Sequence, residues 1–174
     1  MAERSGCPIN LATEALGDRW SMVLLRDIIF GNQRTFRAIL DNSLEGIATN
    51  ILAARLKMLL AEEFLTAASD PSHKQRTIYS LTEKSIALVP ALIALGAWGR
   101  AFLPTTPELS APNKVLAEGG QQLQEVFMDE LRERHLGQLF VHEGPRPSTL
   151  LQEAYEAARA DAVKFGVRGE AEKR

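Results

Sequence analysis

The chain has 174 residues, 20 Lys and Arg against 22 Asp and Glu, and a single cysteine, with 45% of its residues hydrophobic. That is long enough to bury a core, and too ordinary in composition for global disorder or a collagen-like repeat. One cysteine excludes a disulfide scaffold within the chain and a Cys-based zinc site, and no apolar run is read as approaching the ~20 residues of a bilayer span.

The first residues lack an apolar signal core, so the expectation is a cytoplasmic protein with no membrane partner. A net charge of −2 argues against a protein that coats nucleic acid. Residues 1–104 carry 11 basic and 10 acidic side chains, and residues 105–174 carry 9 and 12, so the negative balance lies towards the C-terminus. A site-specific DNA contact stays open, because a local basic face decides it.

In chain order, Ile9–Leu16 reads as a short helix stopped at Gly17. Asp18 can cap a second helix whose Trp20, Val23, Leu24 and Ile28 form an apolar stripe. Gly31-Asn32 ends it. Thr35 caps a third, short helix with Phe36, Ile39 and Leu40 on one side. A fourth runs from about Ala48 to Glu62. Phe64–Ser69 and Thr77–Leu81 read as two strands around a polar tip, residues 70–76. Thr82 then caps a long helix to about Phe102, which Pro90 should kink. Residues 104–112 hold three prolines and read as a linker. Gln121–Leu136 is amphipathic, Gly119-Gly120 marks a break, and Ser148 caps a last helix to about Phe165, followed by a frayed tail. The fold class expected is mainly α with a small two-stranded β-wing: a winged helix-turn-helix over residues 1–104, then a linker and C-terminal helical extension over 105–174.

Cys7-Pro8-Ile9, Leu16-Gly17-Asp18-Arg19-Trp20, Leu24-Leu25-Arg26-Asp27, Gly31, Phe36-Arg37, Gly46-Ile47, Ile51-Leu52-Ala53-Ala54-Arg55-Leu56 and Tyr79-Ser80-Leu81-Thr82 carry a resemblance. Over roughly residues 7–103 the chain resembles the HxlR family of bacterial transcriptional regulators. The last 70 residues have no counterpart in that pattern. Ala48-Thr49-Asn50 replaces the Ser-Pro-Lys often found at the start of the family's recognition helix, and Ser85 stands where Gly is usual. The resemblance implies a homodimeric regulator of transcription that binds a double-stranded DNA operator.

A helix entering a major groove needs its apolar face locked to a core and a polar, short-side-chain face outward. Periodicity puts Ile51, Leu52, Leu56 and Leu59 inward, and Asn50, Ala53, Ala54, Lys57 and Ala61 outward. On periodicity alone that outer face equally describes a solvated surface. The hairpin and the resemblance make it a DNA-contacting face of Thr49, Asn50, Ala53, Ala54 and Lys57. Arg55 points inward and is read as an ion-paired structural residue. The wing tip offers His73, Lys74 and Arg76 to flanking phosphates or a minor groove, with Arg34 and Arg37 as further clamps. Trp20, Trp98 and Phe36 are read as core.

A lone cysteine such as Cys7 is in most proteins a small hydrophobe. The resemblance adds a redox-sensing reading, since several family members sense oxidants or electrophiles through a cysteine at this place. A thiol before a helix start gains thiolate character, with Arg4 and Arg19 close in sequence. An intersubunit bond, a mixed disulfide or an adduct would be its products, so an oxidant or small-molecule effector is a candidate partner.

No phosphate-binding glycine loop, zinc-protease motif or nucleophile elbow is present, and His73, His135 and His142 lack metal-ligand spacing. The expectation is no enzyme, no cofactor and no metal. Dimerisation also follows from physics, because two-fold pairing doubles the few bases one winged helix can read. Helix 83–102 and the N-terminal helix are its expected seam. Residues 113–165 are expected to pack on helix 83–102 of the same or the partner subunit, with a small apolar pocket under Phe127 and Tyr155. The alternative reading is a winged-helix protein-interaction module without DNA binding.

Overall fold

A computed structural model describes residues 5–164, the side chain of Lys74 excepted. Arg4, Phe165 and the tail beyond it lie outside the described residues. The chain divides into two compact units after Ser85.

In the first unit, α1 (Pro8–Leu16) starts on a proline at its first position, where the missing N–H costs nothing. Gly17 closes it by donating its N–H to Thr13 O, so tightly that a Cβ there would lie 2.2 Å from that oxygen. Helix α2 (Arg19–Ile29) is capped by Asp18, and its buried face is Leu24, Leu25, Ile28 and Ile29. Trp20 and Val23, expected in that stripe, are half-buried on its flank. Thr35 caps α3 (Phe36–Asp41) through the Ala38 N–H at 3.2 Å, and Ile39 is its core residue. Helix α4 (Thr49–Ala61) buries Leu52, Leu56 and Leu59 against this core, while Ile51 is half-buried.

The hairpin pairs β1 (Leu65–Asp70) with β2 (His73–Leu81) antiparallel, from Leu65 opposite Leu81 to Ser69 opposite Thr77. An irregularity between Ser69 and Asp70 then sets Asp70 opposite His73. The polar tip read over residues 70–76 is therefore mostly strand, because Asp70 closes a tight turn on Ser72. Ser85, at the position where the family has Gly, is fully buried and donates its hydroxyl to Phe64 O.

The single long helix expected from Thr82 to Phe102 is two: α5 (Glu83–Ile86) and α6 (Val89–Phe102). Pro90 has no N–H for the Ile86 carbonyl and crowds it, so the helix stops there and restarts with Pro90 in its first turn. Residues 83–102 are nonetheless long and apolar enough to cross a membrane by length and composition alone, which corrects the expectation that no stretch approaches that length.

In the second unit, α6 is followed by α7 (Pro107–Glu118), α8 (Gly120–Leu136) and α9 (Pro147–Lys164). The proline-rich linker is a correction too. Pro107 occupies a first-turn position of α7, and Pro112 is tolerated inside it at the loss of one backbone hydrogen bond. Both α7 and α8 pack on α6, and α9 packs mainly along α7. Ile93, Leu116, Phe127, Leu131 and Leu151 form the core. Trp98, expected in the core, is 54% exposed beside Phe102.

Helix α9 starts at Pro147, and Ser148 lies inside it instead of capping it. The acceptor at this end is Glu130 of α8, which is fully buried. Its carboxylate accepts the Ser148 N–H at 2.9 Å, the Ser148 hydroxyl, and Arg134 Nη2 at 2.8 Å.

Candidate nucleic-acid interface

The helix that carries the candidate reading face is entered through a sharp turn. Gly46 takes φ +65°, a left-handed conformation suited to glycine, and the Ser43 hydroxyl accepts the Ile47 N–H at 3.1 Å. From α2, Arg26 grips this turn with two hydrogen bonds to Glu45, at 2.6 and 2.9 Å, and also holds Asp27. Those hydrogen bonds pull the Glu45 carboxyl below its usual range and raise the Arg26 guanidinium, while burial lifts Asp27. Ala48 gives α4 no side-chain cap.

Once α4 starts, its two faces separate. Thr49, Asn50, Ala53, Ala54 and Lys57 are all exposed, opposite buried Leu52, Leu56 and Leu59. The structure thus brings together on one outer face the five α4 residues singled out from the sequence. Arg55 sits on the flank with its Nε 3.2 Å from Asp18 Oδ1, the ion pair expected of it.

The other candidates fall into different settings. Arg34 is engaged within the fold: its Nε donates to Tyr79 O at 3.2 Å and its Nη2 to Ser80 Oγ at 2.6 Å, which fixes β2 to the start of α3. Arg37 is 89% exposed and pairs only loosely with Asp41, at 3.3 Å. His73 is exposed, and the Lys74 side chain lies outside what is described. Arg76 is half-exposed and tied to Asp70. Phe36, Arg37, His73, Arg76 and Tyr79 line a cleft between α3 and the hairpin.

Asp70 escaped the sequence reading. Its carboxylate accepts the Ser72 N–H at 2.8 Å and hydroxyl at 2.7 Å, and then Arg76. These donors, Ser72 first, hold its carboxyl down at about 2. The signal was present as Asp-Pro-Ser, a turn in which an aspartate accepts the amide two residues on. Cys7 is exposed at the N-cap of α1, and its side chain makes no capping bond. Among the described residues, no three His, Cys, Asp or Glu side chains gather as metal ligands.

Three short helices, a two-stranded wing and an outward face on the fourth helix define a winged helix-turn-helix protein. The profile of the HxlR-like helix-turn-helix family matches residues 15–107, more than half of the chain, and the protein belongs to that family. Its members are regulators of transcription rather than enzymes. An uncharacterized HTH-type transcriptional regulator of Mycobacterium tuberculosis is 33% identical over 57% of this chain and 61% of its own. The chain thus spans about three fifths of the mycobacterial relative it matches. The HTH-type transcriptional regulator YodB of Bacillus subtilis is 32% identical over 55% of this chain and 85% of its own. The crystal structure of PA1607, described as a candidate transcription factor, superposes with a TM-score of 0.53 at 33% identity. It covers 59% of this chain and 69% of that one.

Proposed function

We propose that the protein is a sequence-specific regulator that binds a double-stranded DNA operator as a homodimer in the cytoplasm. The observation that carries this reading is the exposure of Thr49, Asn50, Ala53, Ala54 and Lys57 along one face of a helix whose other face is locked into the core. In the major groove Asn50 pairs with adenine, the Ala53 and Ala54 methyls meet thymine methyls, and Lys57 meets phosphate or guanine. Arg37, His73, Lys74 and Arg76 take flanking phosphates, and Arg34 braces the wing behind them.

The dimer seam in this reading combines α1 with the 83–102 segment. Ile9 is 77% exposed on α1, and Leu95, Trp98 and Phe102 are exposed on α6, so each unit carries apolar surface that a second copy would cover. The regulator is also proposed to respond to oxidants through the exposed Cys7.

Selection from a random DNA pool, followed by binding titrations at several salt concentrations, tests the reading. Asn50→Ala is expected to weaken binding at particular base pairs by ~1–3 kcal/mol. Arg76→Ala should weaken all sequences alike and flatten the salt dependence. A parent protein that selects no sequence would favour the protein-interaction module instead. For the oxidant response, diamide should change operator affinity in the parent and leave Cys7→Ser unmoved; equal responses would return Cys7 to a structural role.

A further inference from the structure

Asp18 stands one residue past the glycine that ends α1, at the first step into α2. Its Oδ1 accepts the N–H groups of Trp20 and Ser21, both at 3.0 Å, and lies 3.2 Å from Arg55 Nε; Oδ2 accepts the Ser21 hydroxyl. The two hydrogen-bonding partners, Trp20 and Ser21, are local and make an ordinary helix cap, while the third partner, Arg55, is held as an ion pair. The third comes from the middle of α4.

Capping alone does not require the charge, since Asn or Ser caps a helix about as well as Asp. The charge has its use at Arg55. That residue lies on the flank of α4, between the buried row of Leu52, Leu56 and Leu59 and the exposed row of Asn50, Ala53, Ala54 and Lys57. A pull on this flank acts on the roll of the helix about its own axis. Helix α4 has no side-chain cap, and the Arg26–Glu45 pair fixes only the turn that enters it. Reading base edges requires side chains held within a small angular range by groups behind them.

We infer that Asp18 is a positioning residue for base recognition, fixing the roll of α4 through Arg55 while its cap holds α2. This rests on the DNA-binding reading given above.

The test compares Asp18→Asn, Arg55→Met and the double variant of the full chain. The readouts are thermal melting, binding to the operator selected by the parent, and binding to unrelated DNA. Asn keeps the cap and removes the pull on Arg55. The expected result is an operator affinity about fivefold lower in Asp18→Asn, with melting and binding to unrelated DNA unchanged. Arg55→Met should lose a similar factor, and the double variant no more than either single one. If Asp18→Asn fails to fold, an Arg55→Met protein that melts like the parent and loses operator preference alone still supports the inference. It is overturned if Asp18→Asn binds the operator as the parent does. It is equally overturned if the two losses multiply in the double variant, which would make Arg55 a direct DNA contact. A parent that selects no sequence sinks the DNA-binding reading, and this inference with it.

Discussion

Two helices of the first unit and the last helix of the second start by different means. In the first, Asp18 and Thr35 each cap the helix that begins at the next residue, so the cap is written beside the element it serves. In the second, the Ser148 amide in the first turn of α9 is met by Glu130, 18 residues earlier and on another helix. A local, half-buried cap leaves its amide within reach of water that can take its place, so its loss is modest. A fully buried carboxylate that holds an amide, a hydroxyl and a guanidinium has no such substitute.

The largest expected effect follows from that contrast. Glu130→Ala removes a fully buried acceptor for Ser148 and Arg134 and should destabilise the second unit by about 3 kcal/mol, read from urea unfolding. A loss under about 1 kcal/mol would show that water reaches these donors and that the two kinds of cap are equivalent.

Thr35→Ala sharpens the other side of the comparison. Losing its bond to the Ala38 amide should cost about 1 kcal/mol in the same measurement. A cost as large as that of Glu130→Ala would mean that α3 depends on its cap as heavily as α9 does on its remote one.

The smallest effect concerns the wing, where a carboxylate caps its own turn. Asp70 has a folded pKa of about 2, below the ~3.9 of an unperturbed aspartate. A depressed carboxyl stabilises the fold fully above the unfolded value, and the contribution is lost as pH falls through the folded one. The Ser72 amide resonance should therefore titrate with a midpoint near 2, with the wing unchanged down to about pH 4. A midpoint near 4 would show that the Ser72 and Arg76 bonds are not kept in solution.

The helix-turn-helix region was legible because each of its signals is local. Asp18, Thr35 and Gly17 mark helix ends, and the Leu52, Leu56 and Leu59 spacing separates the inner from the outer face of α4. The ion pair expected of Arg55 is present with Asp18, but the residue lies on the flank of α4 with its side chain 37% exposed, whereas the sequence places it inward. Composition misled where a residue has two uses. Proline reads as a linker in residues 104–112, yet the same ring fits the first turn of α7.

By itself, then, the sequence determined the order of the first four helices and the hairpin and which side of α4 faces outward, since hydrophobic period and neighbouring caps act over a few residues. Only the tertiary structure decided that Arg34 is spent on β2, that Arg76 is leashed by Asp70, and that Glu130 serves α9. Those pairings join groups that are distant along the chain or brought face to face across a turn. Their strength depends on burial and on angles of approach, which no spacing of residue types encodes.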